Sequence, residues 1–334
     1  MEFSYNTKVK IAVDKLEHEV KLLKEEYLKV DPDQSLRKIN KNTPTNVPKC
    51  KVKEARSKFS QWNNMEKFLE RIKTGEIPSV DSVIDVQGRV TGKTARVYFN
   101  PSITSLTKQV RKCIVPTNEE NVFAFFDLKA AEFAMTAIFA QEKEAVDAYH
   151  RGEDIYMHYA YLFPEGTERS VIKKILIANM YNKSAYSTAL DLGITETQAQ
   201  RLLDNVAFNI PRMTALKSKI LAYDRRHNGY FCPNGFDQKD LVKIADIDEK
   251  GFNPDFALSV YSQSALGIFC QNATKKLLTR VNGTLLSVFD SMLVEIKPEN
   301  KDRFVEWVKT NMSPLLADNV TFGKTFYEAA YGQE

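Results

Sequence analysis

Two short segments of the chain are apolar at almost every position, a pattern typical of strands that are buried on both faces. Residues 122–126 read VFAFF and end at Asp127. The runs LLSVF and MLVEI, within residues 285–296, are interrupted by Asp290 and Ser291. Each run is too short to cross a membrane and has the length of a strand. The interrupted segment predicts a hairpin with Asp290 at its tip.

Both predicted strands therefore carry an aspartate where the apolar run stops. A carboxylate at the end of a buried strand is unfavourable unless a cation or a hydrogen-bond donor meets it. Two such carboxylates, Asp127 and Asp290, predict a single metal site that the fold assembles.

Helical periodicity marks most of the remaining chain. Residues 8–30 place apolar side chains at helical spacing between charged ones, which predicts one long amphipathic helix. Residues 35–58 are polar and predict a loop. Further helices are predicted at residues 61–73, 130–142, 169–190, 198–221, 256–278 and 303–316, with a hairpin at 228–235 and a loop at 237–255.

One predicted helix carries a distinctive stripe. Arg169, Lys173, Ile177 and Tyr181 are spaced four residues apart, and each step turns only about 40° around the helix axis. Two cations, an apolar residue and a tyrosine in that order suit a triphosphate followed by a sugar and a base. An ordinary amphipathic helix with cations at its surface remains the alternative.

Composition narrows the class of protein. With 334 residues, 43% hydrophobic and 27% charged, the chain has the make-up of a globular protein without a membrane span or signal peptide, so we expect it in the cytoplasm. The net charge is +4, and residues 1–60 hold 14 Lys and Arg against 9 Asp and Glu. A basic first segment is compatible with contacts to a phosphate backbone. The 4 cysteines show no metal-binding spacing and are expected to be reduced thiols.

The stretch GRVTGKT, residues 88–94, resembles a phosphate-binding loop only superficially. That motif needs four residues between its glycines, and three separate Gly88 from Gly92. The alternative interpretation is that Gly88 makes a tight turn and Arg89 contacts a phosphate.

Two of these patterns resemble motifs of the DNA polymerase I family (family A). Asp127 with Glu132 five positions later resembles motif A, in which an aspartate ends a strand. The triplet Phe289-Asp290-Ser291 resembles motif C, the hairpin that carries the second catalytic aspartate.

Four more features agree with the same family and occur in the same order. Arg169, Lys173 and Tyr181 have the spacing of motif B, a helix of the fingers. The resemblance extends from about residue 85 to residue 334. The lesser matches are Asp85-x-x-Gly88-Arg89 before motif A, Gly229-Tyr230-Phe231 after the fingers helices, and Gln263 on a palm helix near the primer terminus.

The resemblance implies an α+β protein with the right-hand fold of polymerases: an antiparallel palm sheet, helical fingers and a reduced helical thumb. Its implied domains are a basic, helical, thumb-like region at 1–84, a first palm segment at 85–150, fingers at 151–255 and a second palm segment at 256–334.

The implied reaction is template-directed DNA synthesis on primer-template DNA with dNTPs. Two Mg²⁺ ions, for which Mn²⁺ can substitute, are implied to be held by Asp127, Asp290 and the backbone carbonyl of Leu128. The other implied roles are triphosphate binding by Arg169 and Lys173, sugar selection by Glu132, nucleotide contacts by Ile177 and Tyr181, and DNA contacts by Arg89 and Gln263.

The chain departs from the family pattern at four positions. Ile177 replaces an aromatic residue, so stacking on the nascent base pair is expected to be lost. Phe289 and Ser291 replace the histidine and the second acid of motif C, and Asn182 replaces a glycine. These changes affect the expected efficiency and fidelity more than the type of reaction.

No exonuclease domain fits before Asp85, so we expect a compact, phage-like enzyme without proofreading, in a bacterial or phage-infected cell. This expectation leaves room for a partner subunit that supplies an exonuclease or thumb function. Two alternatives remain: a single-subunit RNA polymerase or primase-like enzyme, and a catalytically silent DNA-binding replication factor. Glu132 argues against the first, because ribonucleotide users keep a small residue there, and the two aspartates argue against the second.

Overall fold

The computed structural model describes residues 3–40, 43–90, 95–103, 107–181, 183–226, 230–231, 242–243, 254–312 and 314–332. These residues form an α+β fold whose described strand pairs are antiparallel. The expected fold class is therefore confirmed at the level of its secondary structure.

The described strands form two larger sheets and one small ribbon. One sheet has the order β2-β3-β1-β5, with β4 also paired to β3, and the second has the order β11-β6-β10-β9. The strands are β1 Ser4–Ile11, β2 Ser79–Val80, β3 Val83–Val90, β4 Val97–Asn100, β5 Ile114–Val115, β6 Val122–Asp127, β7 Tyr230–Phe231, β8 Val242–Lys243, β9 Leu285–Val288, β10 Ser291–Ile296 and β11 Thr321–Gly323.

Helices make up most of the rest of the described chain. They are α1 Val13–Val30, α2 Lys49–Lys73, α3 Ala131–Ala140, α4 Lys143–His150, α5 Ile155–His158, α6 Arg169–Met180, α7 Ala185–Leu192, α8 Glu196–Asn209, α9 Pro211–Arg226, α10 Pro254–Leu278, α11 Lys301–Asn311, α12 Pro314–Ala317 and α13 Phe326–Tyr331.

The chain divides into two compact units. The unit that we call the sheet unit contains Ser4–Arg89, Tyr98–Asp127 and Thr274–Glu334. The helical unit contains Met1–Phe3, Val90–Val97 and Leu128–Ala273. The domain boundaries expected from the sequence stay a prediction.

The core of the sheet unit is built on β6. Its residues 122–126 are all buried, as the uninterrupted apolar run predicted. The ring of Phe126 lies 6.4 Å from that of Phe304 on α11, and the ring of Phe125 lies 6.0 Å from that of Phe326 on α13. Helices therefore cover β6, which explains why its sequence does not alternate between apolar and polar residues.

The helical unit has its own core of aromatic and aliphatic side chains. Phe133 of α3 is fully buried, and its ring lies 5.7 Å from that of Tyr156 and 6.0 Å from that of Tyr159. Ile172 and Leu176 of α6 are also fully buried. This packing fixes the orientation of α6 within the unit.

The predicted helix at residues 8–30 is wrong at its start. Residues 4–11 form β1, in which every second side chain is buried: Tyr5, Thr7, Val9 and Ile11. That alternation has the period of a strand. The stronger helical pattern of α1 hid it, because α1 follows after a single residue.

The predicted loop at residues 35–58 is also wrong in its second half, because α2 begins at Lys49. The helix predicted at residues 61–73 is the second half of α2. Tyr27 of α1 stacks on Trp62 of α2 with a centroid distance of 5.6 Å. Packing of this kind stabilises a polar helix that has little local signal of its own.

Two long predicted helices are each interrupted. The helix predicted at residues 169–190 ends at Met180, and α7 restarts after Ser184, whose side chain caps it. The helix predicted at 198–221 is divided at Ile210, because Pro211 begins α9. The predicted hairpin at 228–235 and loop at 237–255 lie almost wholly outside the described residues.

The remaining elements agree with the sequence, with one addition. The helices predicted at 130–142 and 256–278 and the hairpin around Asp290 are confirmed. The helix predicted at 303–316 is α11 followed by α12, and β11 and α13 were not predicted. In the part of the chain that the structure describes, no helix is both long and apolar enough to span a membrane.

Glu295 on β10 is a buried carboxylate that joins several segments of the sheet unit. It is 4% exposed and accepts hydrogen bonds from the backbone N–H groups of Thr117, Asn118 and Thr284, the Thr117 hydroxyl and the Asn121 amide. Burial raises the pKa of Glu295, but the bonds from Thr284, Asn121 and the other donors outweigh burial and hold the pKa below its ordinary value of 4.5.

We expect Glu295→Ala to lower the free energy of unfolding by about 3 kcal/mol at pH 7, because several buried donors lose their acceptor. The folded-state pKa lies below 4.5, so the stabilisation is complete above that pH and is lost as the pH falls through the depressed value. Urea unfolding of both proteins at pH 7 and at lower pH measures the difference.

The matched control is Glu299→Ala, which removes an exposed carboxylate 3.9 Å from Lys297 and should change stability by less than about 0.5 kcal/mol. A Glu295→Ala variant as stable as this control, or a difference that does not shrink on acidification, would contradict the prediction.

Candidate active site

Asp127 and Asp290 stand at the ends of two neighbouring strands. Asp127 is the last residue of β6 and is paired in register with Ser291, the first residue of β10. Asp290 directly precedes Ser291. Paired strands lie about 4.8 Å apart and a residue step is about 3.3 Å, so the backbones of the two aspartates lie close together at one end of the sheet. Asp127 is exposed and Asp290 is half-buried.

The loop between β9 and β10 has only two residues, Phe289 and Asp290. Phe289 has a φ of +58°, in the left-handed region that a side chain of this size rarely adopts. The buried hydroxyl of Ser291 donates to the carbonyl of Val288 at 2.8 Å and ties the two strand ends together. The tight loop therefore leaves Asp290 little freedom.

The oxygen ligands at this end of the sheet fit a hard divalent cation. Asp127 and Asp290 offer carboxylate oxygens, and Mg²⁺ prefers a few carboxylates completed by water and substrate phosphates. Within the described ranges, no group of three or more His, Cys, Asp and Glu residues is arranged to hold a metal ion. The carbonyl of Leu128 accepts a hydrogen bond from the Ala131 N–H at 3.2 Å, and its part in metal binding stays a prediction.

Glu132 lies in the first turn of α3, in the helical unit, and is contacted from two other segments. The Gln263 side-chain amide on α10 donates to Glu132 Oε1 at 2.8 Å. A guanidinium nitrogen of Arg96 lies 3.8 Å from the same oxygen. Gln263 was expected to contact DNA, and the structure gives its amide nitrogen this intramolecular partner. The sequence offered no signal for Arg96, because no spacing relates it to Glu132.

Arg169 and Lys173 share an aromatic support. The Arg169 guanidinium lies 5.2 Å and the Lys173 ammonium 5.7 Å from the ring centre of Tyr156, which is 2% exposed. The predicted stripe therefore places both cations together over one ring. Tyr156 was not identified from the sequence, because a buried tyrosine in a short helix resembles any other core residue.

Arg169 is also ion-paired with Asp154. Partial burial raises the pKa of Asp154, but the hydrogen bonds from Arg169 and the Met157 N–H outweigh burial and hold the pKa below its ordinary value of 3.8. Asp154 also caps α5 through the Tyr156 and Met157 N–H groups. The ion pair thus anchors Arg169 to the element that carries Tyr156.

Ile177 and Tyr181 complete the stripe. Both are partly buried against the core of the helical unit, and Tyr181 is the C-terminal cap of α6. Because α6 ends there, Tyr181 belongs to the helix end rather than to a continuous helix. Asn182 lies outside the described residues.

The tight turn expected at Gly88 is wrong. Gly88 is a buried residue within β3 and faces Tyr5 of β1 in the register, and the exposed Arg89 faces Ser4. Residues 91–94 lie outside the described part of the chain. A role for Arg89 in binding DNA stays a prediction.

The candidate residues thus form separate groups within the two units. Asp127, Asp290 and Arg89 belong to the sheet unit. The rest, namely Leu128, Glu132, Arg169, Lys173, Ile177, Tyr181 and Gln263, belong to the helical unit.

Known proteins resemble this chain over most of its length. It is 22% identical over 267 residues to DNA polymerase I of Borreliella burgdorferi, covering 72% of this chain and 29% of that protein. It is 21% identical over 308 residues to DNA polymerase I of Geobacillus stearothermophilus, covering 79% of this chain and 35% of that protein. The chain thus spans about a third of the length of these curated relatives.

A solved structure shows the same fold. The POL domain of Pol1 from M. smegmatis, in complex with DNA primer-template and dNTP, superimposes with a TM-score of 0.76 at 15% identity, covering 97% of this chain and 68% of that one. The α+β polymerase fold implied by the motifs is therefore confirmed.

The family is established by the sequence as a whole. The model of DNA polymerase family A matches residues 10–322, and so includes every motif that carried the resemblance. The chain belongs to DNA polymerase family A.

Proposed function

We propose that this chain is a DNA-directed DNA polymerase that adds dNTPs to the 3′-hydroxyl of a primer. The observation that carries the proposal is the pairing of β6 with β10 in a member of this family. This pairing brings Asp127 and Asp290 to the same end of the sheet. The solved polymerase domain of the same fold was in complex with primer-template and dNTP.

Such a reaction requires the protein to bind divalent metal ions, and the two aspartates supply the negative charge for this. Asp127 and Asp290 would hold two Mg²⁺ ions, with the Leu128 carbonyl as a further ligand. When bound, these ions neutralise the charge that develops on the attacking and leaving oxygens of phosphoryl transfer. The fixed loop at Asp290 keeps the second carboxylate in place without the entropic cost of ordering it during the reaction.

The cations of α6 would bind the incoming triphosphate. Arg169 can make two parallel hydrogen bonds to a phosphate, whereas Lys173 acts as a compact charge. Both lie over the ring of Tyr156, whose cation–π attraction helps to hold them in place.

The remaining contacts concern the sugar, the bases and the primer. Glu132 would lie under the sugar and disfavour a 2′-hydroxyl, and Tyr181 would lie near the templating base. Ile177 provides apolar contact but no stacking, so we expect weaker nucleotide binding than an aromatic residue would give. Arg89 would contact the DNA backbone. The absence of proofreading stays a prediction that extension from a mismatched primer end can test.

Substitution of either aspartate should abolish the reaction and leave DNA binding intact. Asp127→Asn and Asp290→Asn should each lower primer extension by more than about a thousandfold, because the amide cannot replace a metal-binding carboxylate. Binding of primer-template should stay within about threefold of wild type, since neither side chain pairs with phosphates directly. Extension with Mg²⁺ and fluorescence anisotropy with labelled DNA measure the two effects.

The control is Asp302→Asn, an exposed aspartate in the first turn of α11, which should retain normal extension. Activity within tenfold of wild type in either Asp127 or Asp290 variant would refute the assignment. Parallel reactions with rNTPs test the RNA polymerase alternative. DNA binding without extension by wild type, with Mg²⁺ or Mn²⁺, would favour the silent replication factor.

Tyr156 is the side chain that supports both cations. Tyr156→Leu should raise the KM for dNTP about tenfold, because two cation–π contacts of about 0.5–1 kcal/mol each are lost. Tyr156→Phe keeps the ring and should remain within about twofold of wild type. Steady-state primer extension at varied dNTP concentration measures KM.

Thermal unfolding of both Tyr156 variants shows whether the fold is retained at the assay temperature. An unchanged KM in a folded Tyr156→Leu protein would show that the ring does not support nucleotide binding.

A further inference from the structure

The carboxylate of Glu132 is held between two segments that are far from it in sequence. Gln263 Nε2 on α10 donates to Glu132 Oε1 at 2.8 Å, and the Arg96 guanidinium lies 3.8 Å from that oxygen. The Arg96 and Glu132 side chains are only 22% and 28% exposed, so solvent screens their attraction less than at an open surface. The Glu132 backbone is fixed as well, since its carbonyl accepts from the Thr136 hydroxyl at 2.7 Å.

The segment that carries Arg96 is itself anchored to α10. The Gln271 side-chain amide, which is 9% exposed, donates to the carbonyl of Ala95 at 2.7 Å. Ala95 has a φ of +53°, an unfavourable conformation for a residue with a Cβ. Gln263 and Gln271 lie eight residues apart, so they are separated by about 12 Å along the helix. One helix therefore positions both Glu132 and the segment beside it.

We propose that Arg96 and Gln263 are positioning residues that fix the side chain of Glu132 and so determine how strictly the site excludes ribonucleotides. The inference rests on the proposed polymerase function, in which Glu132 lies under the sugar. In this proposal Gln263 affects sugar selection by holding Glu132, and not by the expected contact with DNA.

The physical reason is rigidity. A glutamate has three rotatable side-chain bonds, and a side chain that can rotate away does not exclude a hydroxyl. The hydrogen bond from Gln263 and the nearby Arg96 guanidinium both favour the observed position of Glu132 Oε1 and so restrict rotation of the carboxylate. Discrimination against one extra oxygen depends on that position being held during nucleotide binding.

The experiment compares kcat/KM for a dNTP and the matching rNTP in primer extension. Arg96→Met and Gln263→Leu approximately keep side-chain length but remove the guanidinium charge and the amide donor, respectively. Each should raise kcat/KM for the rNTP about tenfold and leave kcat/KM for the dNTP within about threefold of wild type. Arg96→Lys restores the charge and should recover part of the lost discrimination.

A double-mutant cycle with Glu132→Ala separates positioning from a general structural effect. If Arg96 and Gln263 act through Glu132, their substitution in the Glu132→Ala background should not change the ratio of rNTP to dNTP use further. Additive effects in that background would overturn the proposal.

Arg151→Met is the matched control, because Arg151 pairs with Glu153 at an exposed position of the same unit. It should discriminate as wild type does. Thermal unfolding identifies any variant that fails to fold. If Arg96→Met fails to fold, rNTP and dNTP use is compared in Arg96→Lys and Gln263→Leu instead.

Two other outcomes would also overturn the proposal. Wild-type discrimination in folded Arg96→Met and Gln263→Leu proteins would show that Glu132 needs neither partner. An equal loss of dNTP and rNTP use together with weaker primer-template binding would identify Arg96 and Gln263 as DNA contacts. Failure of the wild-type protein to extend a primer at all is a different result, because it refutes the proposed function itself.

Discussion

The antiparallel pairing of β6 and β10 is the constraint on which the placement of the two candidate aspartates depends. Six consecutive residue pairs align these strands, and the last of them joins Asp127 to Ser291. Side chains alternate along a strand, so a slip of one residue would turn every side chain of β10 to the opposite face. The site is therefore specified by a register that the apolar core enforces, and the aspartates themselves contribute little to it.

The two units hold their candidate residues in different ways. In the sheet unit, tight backbone geometry at Phe289 restricts a carboxylate. In the helical unit, side chains are held by other side chains: Arg169 and Lys173 by the ring of Tyr156, and Glu132 by its neighbours. Each of these charged side chains is thus held by a neighbouring side chain.

The sequence predicts those parts whose causes are local. The strand ending at Asp127 and the hairpin at Asp290 follow from short apolar runs, and α6 follows from its periodicity. The strand β1 was missed because its alternation is brief and its partner β3 is about 80 residues away. The contacts of Arg96 and Gln263 with Glu132 could not be predicted for the same reason, since only the folded chain brings these side chains together. The motif spacing proposes site residues, but it does not indicate which side chains support them.

The buried carboxylate of Glu295 also affects how β10 aligns with its neighbours. It lies four residues from Ser291 on the same strand, and its carboxylate is bound by donors from Thr117, Asn118, Asn121 and Thr284. Sliding β10 by one position would carry this charge away from all of those donors and into apolar surroundings. The buried charge of Glu295 therefore disfavours misaligned pairings of β10. Such misalignment would also displace Asp290, which lies at the other end of the strand.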